Sequence, residues 1–278
     1  MSSKTTKPAS SGSLGDSLKT GFASVVIPLE LALAYVIYFF VLGNPNNFVG
    51  GDPHNHPIEG NFLGLIYKGG PGVVPILIAL LMLVLTFFFE RLFTISRAKG
   101  RGSLPRFVNK IRTLTAAGNI NDALAECDKQ KGSVANVVRA GLSKYSELQA
   151  DRSLDQEKKV LIIQKDIEET TSLEMPMLER NLVIIATIAS IATLMGLLGT
   201  VFGMINAFAA LATAGAPDAV GLANGISEAL INTALGIGTS ALAIVFYNLF
   251  TNRIDALTYS IDEAGYSIVQ NFTAQTKD

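Results

Sequence analysis

Leu178–Phe208 reads LERNLVIIATIASIATLMGLLGTVFGMINAF, and Gly221–Asn248 reads GLANGISEALINTALGIGTSALAIVFYN. No charged residue stands between Arg180 and Asp218, and none between Glu228 and Arg253. Crossing a hydrocarbon core of about 30 Å takes about 20 apolar residues, so each run is long enough to be a membrane span. Neither run has the leucine-filled composition of a simple anchor. Glycine recurs at Gly196, Gly199 and Gly203, then at Gly236 and Gly238. Hydroxyls recur at Thr187, Ser190, Thr193 and Thr200, then at Thr233, Thr239 and Ser240. A helix pair that lines an ion path, or clasps a partner helix inside the membrane, needs small and hydroxyl residues of this kind.

Working outward, residues 1–20 are rich in Ser, Thr, Gly and Lys without an apolar period, and read as a disordered tail. Residues 22–42 form a first, N-terminal span, too long for a signal-peptide core and followed by no cleavage site. Glu30 near its start lies at the interface or faces other helices, because a lipid-facing carboxylate is costly. Residues 43–71 are a loop, with a short helix expected at Asn61–Tyr67. Residues 72–90 form the second span, with Pro75 in the first turn, where proline is tolerated.

Arg91, Arg97, Lys99, Arg101, Arg106, Lys110 and Arg112 follow at once. Lysine and arginine concentrate on the cytoplasmic side of spans, so this exit is cytoplasmic, and both termini are then cytoplasmic with residues 43–71 outside. Residues 91–180 read as a cytoplasmic helical domain, with Phe107, Ile111 and Leu114 on one face and Ala135, Val138 and Leu142 on another. Asn119 and Asp122 mark a helix start. That domain either packs its own core or shares one with neighbouring subunits. The third span covers 181–213, an outside turn 214–223, the fourth span 224–252, and an amphipathic cytoplasmic extension 253–278. The expected fold is all-α and polytopic, with four transmembrane helices.

The chain has 278 residues, 49% hydrophobic and 16% charged, with a net charge of −1. Charged residues make up about a quarter of soluble proteins, so this is a membrane composition, and nothing in it points to nucleic acid. The single Cys127 cannot form an internal disulfide and reads as a reduced bystander. His54 and His56 lie near Asp52, but no further ligand has metal spacing, so a polar exposed loop is the reading there and no metal or cofactor is expected. No nucleophile–base pair appears either, so catalysis is not expected.

Ala186, Thr193, Thr200 and Ala207 recur at seven and share one stripe of the third span. Gly196, Gly199, Gly203 and Gly236 are close-packing candidates. Glu228 and Asn232 share one face of the fourth span, with Thr233, Gly236 and Ser240 on an adjoining face. An intramembrane acid is a functional candidate by default. No Asp, Lys or His stands deeper in either run. If protons move here, the group that titrates at mid-membrane comes from a partner chain.

The two quoted stretches, above all GLLGTVFGM and GISEALINTALG, resemble the signature of the MotA/TolQ/ExbB proton channel family, and within it ExbB most. The resemblance covers about seventy residues. It implies a pentameric helical barrel in the bacterial inner membrane, the last two long helices forming the oligomeric channel wall. It also implies an ExbD-like single-span partner with an intramembrane aspartate. Proton motive force would then act through a TonB-like protein to energise outer-membrane transport. Thr200 and Thr233 match the family's pore threonines, and Glu228 its intramembrane glutamate. Thr193 and Asn232 join them as candidate pore-lining residues, although Asn232 stands where a small or hydroxyl residue is commoner. The first span and its loop match no motif, since the ExbB proteins compared have three spans. The alternatives are a TolQ-like envelope-integrity subunit, a motility stator, or a passive membrane scaffold.

Overall fold

The structure, a computed structural model, describes residues 14–150, 153–212 and 218–275. Among them the regular structure is helical, in chain order α1 Leu14–Val36, α2 Phe62–Tyr67, α3 Val74–Lys99, α4 Leu104–Ala116, α5 Ile120–Gln130, α6 Gly132–Ala150, α7 Gln156–Glu179, α8 Leu182–Leu211 and α9 Ala219–Gln275. A π-helical segment, Ile37–Leu42, prolongs α1. Four helical stretches are long and apolar enough to cross a membrane, the first of them Phe22–Leu42. The all-α fold with four candidate spans therefore stands.

Three boundaries differ from expectation. Residues 1–13 of the expected tail lie outside the described residues, but α1 already begins at Leu14. In the expected turn at 214–223, α9 begins at Ala219 because Asp218 caps it, accepting from the backbone N–H groups of Val220 at 3.0 Å and Gly221 at 2.9 Å. The amphipathic extension after Arg253 is no separate helix, since α9 runs without a break for 57 residues.

The chain divides into two compact units. The first combines the described residues up to Leu85 with Ile188–Leu242. Its loop side is built on Tyr38, Leu42 and Val74, packed with Ile66, Tyr67, Ile78 and Leu235. The Tyr38 ring stacks on Tyr67 with centroids 4.7 Å apart, and its hydroxyl donates to the Tyr67 carbonyl at 3.0 Å. Asn47 Nδ2 donates to the carbonyls of Val41 and Leu42, satisfying acceptors that the helix end leaves open. Glu30 is only 5% exposed, so of its two possible placements the protein-facing one is found.

The second unit combines Thr86–Thr187 with the chain from Ala243 onward. Phe107, Val108 and Ile111 of α4, Ala123 and Cys127 of α5, Val138, Leu142 and Tyr145 of α6, and Ile163 and Ile167 of α7 are buried. So are Ile254, Leu257, Ile261, Ile268 and Phe272 of α9. Tyr145 meets Phe272 edge to face at 4.8 Å, and Asn271 Nδ2 donates to Thr115 Oγ1 at 2.8 Å. The helical domain thus builds its core with the apolar stripe of the chain's own C-terminal helix.

Candidate functional site

The site begins with glycine. A Cβ added at Gly196 would stand 3.1 Å from Gly236 Cα, and one at Gly236 would stand 2.6 Å from the Ala192 carbonyl oxygen. A Cβ at Gly203 would meet the Ala229 backbone nitrogen at 2.6 Å, and one at Gly225 the Ala207 nitrogen at 2.5 Å. Helices α8 and α9 therefore touch backbone to backbone along Ala192, Gly196, Gly203 and Ala207 on one side and Gly225, Ala229 and Gly236 on the other. This is the small-residue crossing that apolar surroundings favour, since close approach gains dispersion contact where water gives no hydrophobic drive. Ser240 Oγ adds a hydrogen bond across the crossing to the Ala189 carbonyl at 2.5 Å.

The stripe spaced at seven lies beside this seam. Ala186, Thr193 and Thr200 are half-buried, and only Ala207 is buried. Thr200 donates to the Leu197 carbonyl and Thr233 to the Ala229 carbonyl at 3.1 Å, so both hydroxyls close back on their own helix.

Glu228 and Asn232 differ from each other. Glu228 is half-buried, and its Oε2 accepts from Asn206 Nδ2 of α8 at 3.2 Å. Asn232 is fully buried, and a Cβ at Gly199 would overlap its side chain. Its Nδ2 donates to the Gly69 carbonyl at 2.8 Å, while its Oδ1 has no hydrogen-bond donor among the described residues. Gly70 follows at φ +89°, and a Cβ there would lie 2.7 Å from Glu228 Oε1. Only glycine suits that position, on backbone and on space alike.

Sequence reasoning named Glu228, Asn232, Thr200, Thr233 and the packing glycines. It did not reach Asn206, the Gly69–Gly70 turn or Gly225. The spacing of Gly221, Gly225 and Ala229 carried a signal for Gly225; the turn carried none, since its contact joins residues 163 apart in sequence.

The two histidines belong to a different piece of chemistry. Lys68 Nζ donates to the carbonyls of Pro53 and His54 at 3.0 and 3.1 Å, and His54 N–H donates to Asp52 Oδ1. Burial pushes the Lys68 ammonium below its ordinary pKa, with Asp52 opposing the shift. No cluster of three metal-ligating side chains occurs among the described residues.

Fold and site together define a helical membrane protein in which two of the four candidate spans, those in α8 and α9, cross on their backbones beside an acid and an amide. Residues 129–263 match the MotA/TolQ/ExbB proton channel family. It is similar to the Tol-Pal system protein TolQ of Pseudomonas aeruginosa, 34% identical over 124 residues, which are 45% of this chain and 54% of that protein. It is also similar to the biopolymer transport protein ExbB of Pseudomonas putida, 36% identical over 86 residues, 31% of this chain and 26% of that protein. A third relative is the biopolymer transport protein ExbB of Salmonella typhimurium, 33% identical over 85 residues, 31% of this chain and 35% of that protein. The chain spans about half of the length of these relatives or less.

Proposed function

We propose that the chain is the channel-wall subunit of an inner-membrane motor driven by the proton motive force. It works with an ExbD-like single-span partner that brings an intramembrane aspartate, and through a TonB-like protein energises outer-membrane transport. The homo-oligomer is a pentamer in membrane lipid, with both termini cytoplasmic. The observation that carries this reading is the α8–α9 seam. It is close-packed on Gly196, Gly203 and Gly236 and flanked by Thr193, Thr200, Thr233, Asn232 and one carboxylate, Glu228. Because no Asp, Lys or His stands deeper in either helix, the wall needs a titrating group from outside the chain.

A TolQ-like role in envelope integrity is the second reading. The TolQ match, over 124 residues, is longer than the ExbB matches over 86 and 85 residues. Deletion of the gene separates the two: loss of energy-dependent outer-membrane uptake supports the first, and detergent sensitivity with a sound uptake rate the second.

Thr233→Val and Glu228→Gln test both. Each variant is expected to assemble normally and to lose proton-dependent function. Wild-type function in both variants would sink the channel-wall assignment and favour a passive scaffold.

A further inference from the structure

The first span and its loop lie outside the residues that match the family, yet they reach the acid at the heart of the proposed path. The chain of contacts starts at Tyr38, near the start of the π-helical segment that prolongs α1. Its ring stacks on Tyr67 and its hydroxyl holds the Tyr67 carbonyl. Tyr67 ends α2, and the turn Lys68–Gly70 follows directly. Lys68 binds this turn to the carbonyls of Pro53 and His54. Gly69 offers its carbonyl to Asn232, and Gly70 lies against Glu228 Oε1. Leu235, one turn beyond Asn232, joins the Tyr38, Leu42 and Val74 cluster.

We infer that Asn232 is a positioning residue for Glu228, acting through the Gly69–Gly70 turn. The amide holds the turn against the seam, the turn covers Oε1, and the carboxylate is left to meet Asn206 through Oε2. Two features favour a positioning role over filling. A leucine would fill the same space without a buried polar cost, whereas the amide carries an acceptor, Oδ1, that finds no donor among the described residues. The contact is also made to a backbone carbonyl of the loop, so it fixes the turn and not a side chain. The added N-terminal helix thereby seats the segment that screens the acid. This inference rests on the reading of Glu228 as part of the proton path, but its test does not use transport.

The probe is a membrane-impermeant, water-soluble carbodiimide, applied to the full chain in lipid nanodiscs, with modification read by mass spectrometry. Glu59, an exposed acid of the outer loop, is the internal reference. In the wild type Glu228 is expected to react much more slowly than Glu59. Asn232→Leu is expected to raise the Glu228 rate about tenfold, the effect of losing one buried hydrogen bond on the opening of the turn, with the Glu59 rate unchanged. Gly70→Ala is expected to do the same, with the Asn232 bond partners intact. Equal reactivity of Glu228 and Glu59 in the wild type overturns the inference even if no variant folds. So does an unchanged Glu228 rate in folded Asn232→Leu. If Glu228→Gln transports normally while these rates behave as expected, the transport reading fails and the positioning role stands.

Discussion

Gly236 is one of the glycines at which α9 lies directly on the backbone of α8. A methyl group there would press on the Ala192 carbonyl at 2.6 Å and on Gly196 Cα at 2.8 Å, atoms of a backbone that cannot turn aside. Gly236→Ala is therefore expected to destabilise the folded chain by about 1–3 kcal/mol, the usual cost of overpacking, although alanine is the better helix former. A lower thermal midpoint in detergent checks this, and an unchanged or higher midpoint contradicts it. Cys127 shows a different residue-scale effect. It is 2% exposed, and burial pushes its thiol pKa up to about 12. The thiolate is the reactive form, so the folded chain at pH 8 is expected to resist a thiol reagent that labels it fully once unfolded. Rapid labelling of the folded chain would contradict the burial of α5. The sequence had placed Cys127 as unpaired and reduced; its depth came from how α5 packs.

At the scale of elements, the break between α7 and α8 is the most instructive feature. Helix α7 ends at Glu179, Asn181 takes a left-handed φ of 65°, and α8 starts at Leu182. The carbonyls that this ending leaves open are met by Arg91 of α3, whose Nη1 lies 3.1 Å from the Leu178 oxygen and 3.3 Å from that of Met177. Arg91 is 2% exposed and donates through Nε and Nη2 to Glu90, which also accepts from Thr94 and Asn181. A cation at a helix C-terminus is favourable twice over, through the hydrogen bonds and through the helix dipole. Arg91→Met removes the caps and leaves the Glu90 carboxylate without its ion partner, so a loss of about 3–5 kcal/mol is expected, as for a buried pair broken on one side. Chemical unfolding in mixed micelles measures it; a loss below the size of a surface pair would show that the joint contributes little. In the sequence, Arg91 was one of seven basic residues behind the second span. Its charge spoke of the cytoplasmic side, but nothing in one dimension separated this capping arginine from the solvated ones.

For the whole molecule, hydropathy and charge carried most of the architecture. Uncharged runs longer than a bilayer needs can only be spans, because a backbone in lipid must satisfy its own hydrogen bonds and helices do so locally. The candidate spans, the helical domain after the second, and the amphipathic face that runs to Phe272 were therefore legible residue by residue. The candidate site was legible in part. Thr200, Thr233, Glu228 and the glycines announce themselves because small or polar residues are rare in such runs. Which of them meet each other was not legible. The sequence offered two close-packing candidates, the stripe through Thr193 and Thr200 and the glycines, and the seam runs through Gly196, Gly203 and Gly236, where the backbones can approach without a side chain between them. The packing of α9 into the core of the helical domain, the Arg91 joint, and the turn at Gly69–Gly70 against Glu228 and Asn232 arise from contacts between distant parts of the chain. Local composition sets what each segment can be, since burial and backbone satisfaction are decided within a span. Partners are chosen by close packing and by hydrogen bonds between residues such as Gly69 and Asn232, and these exist only once the helices are assembled.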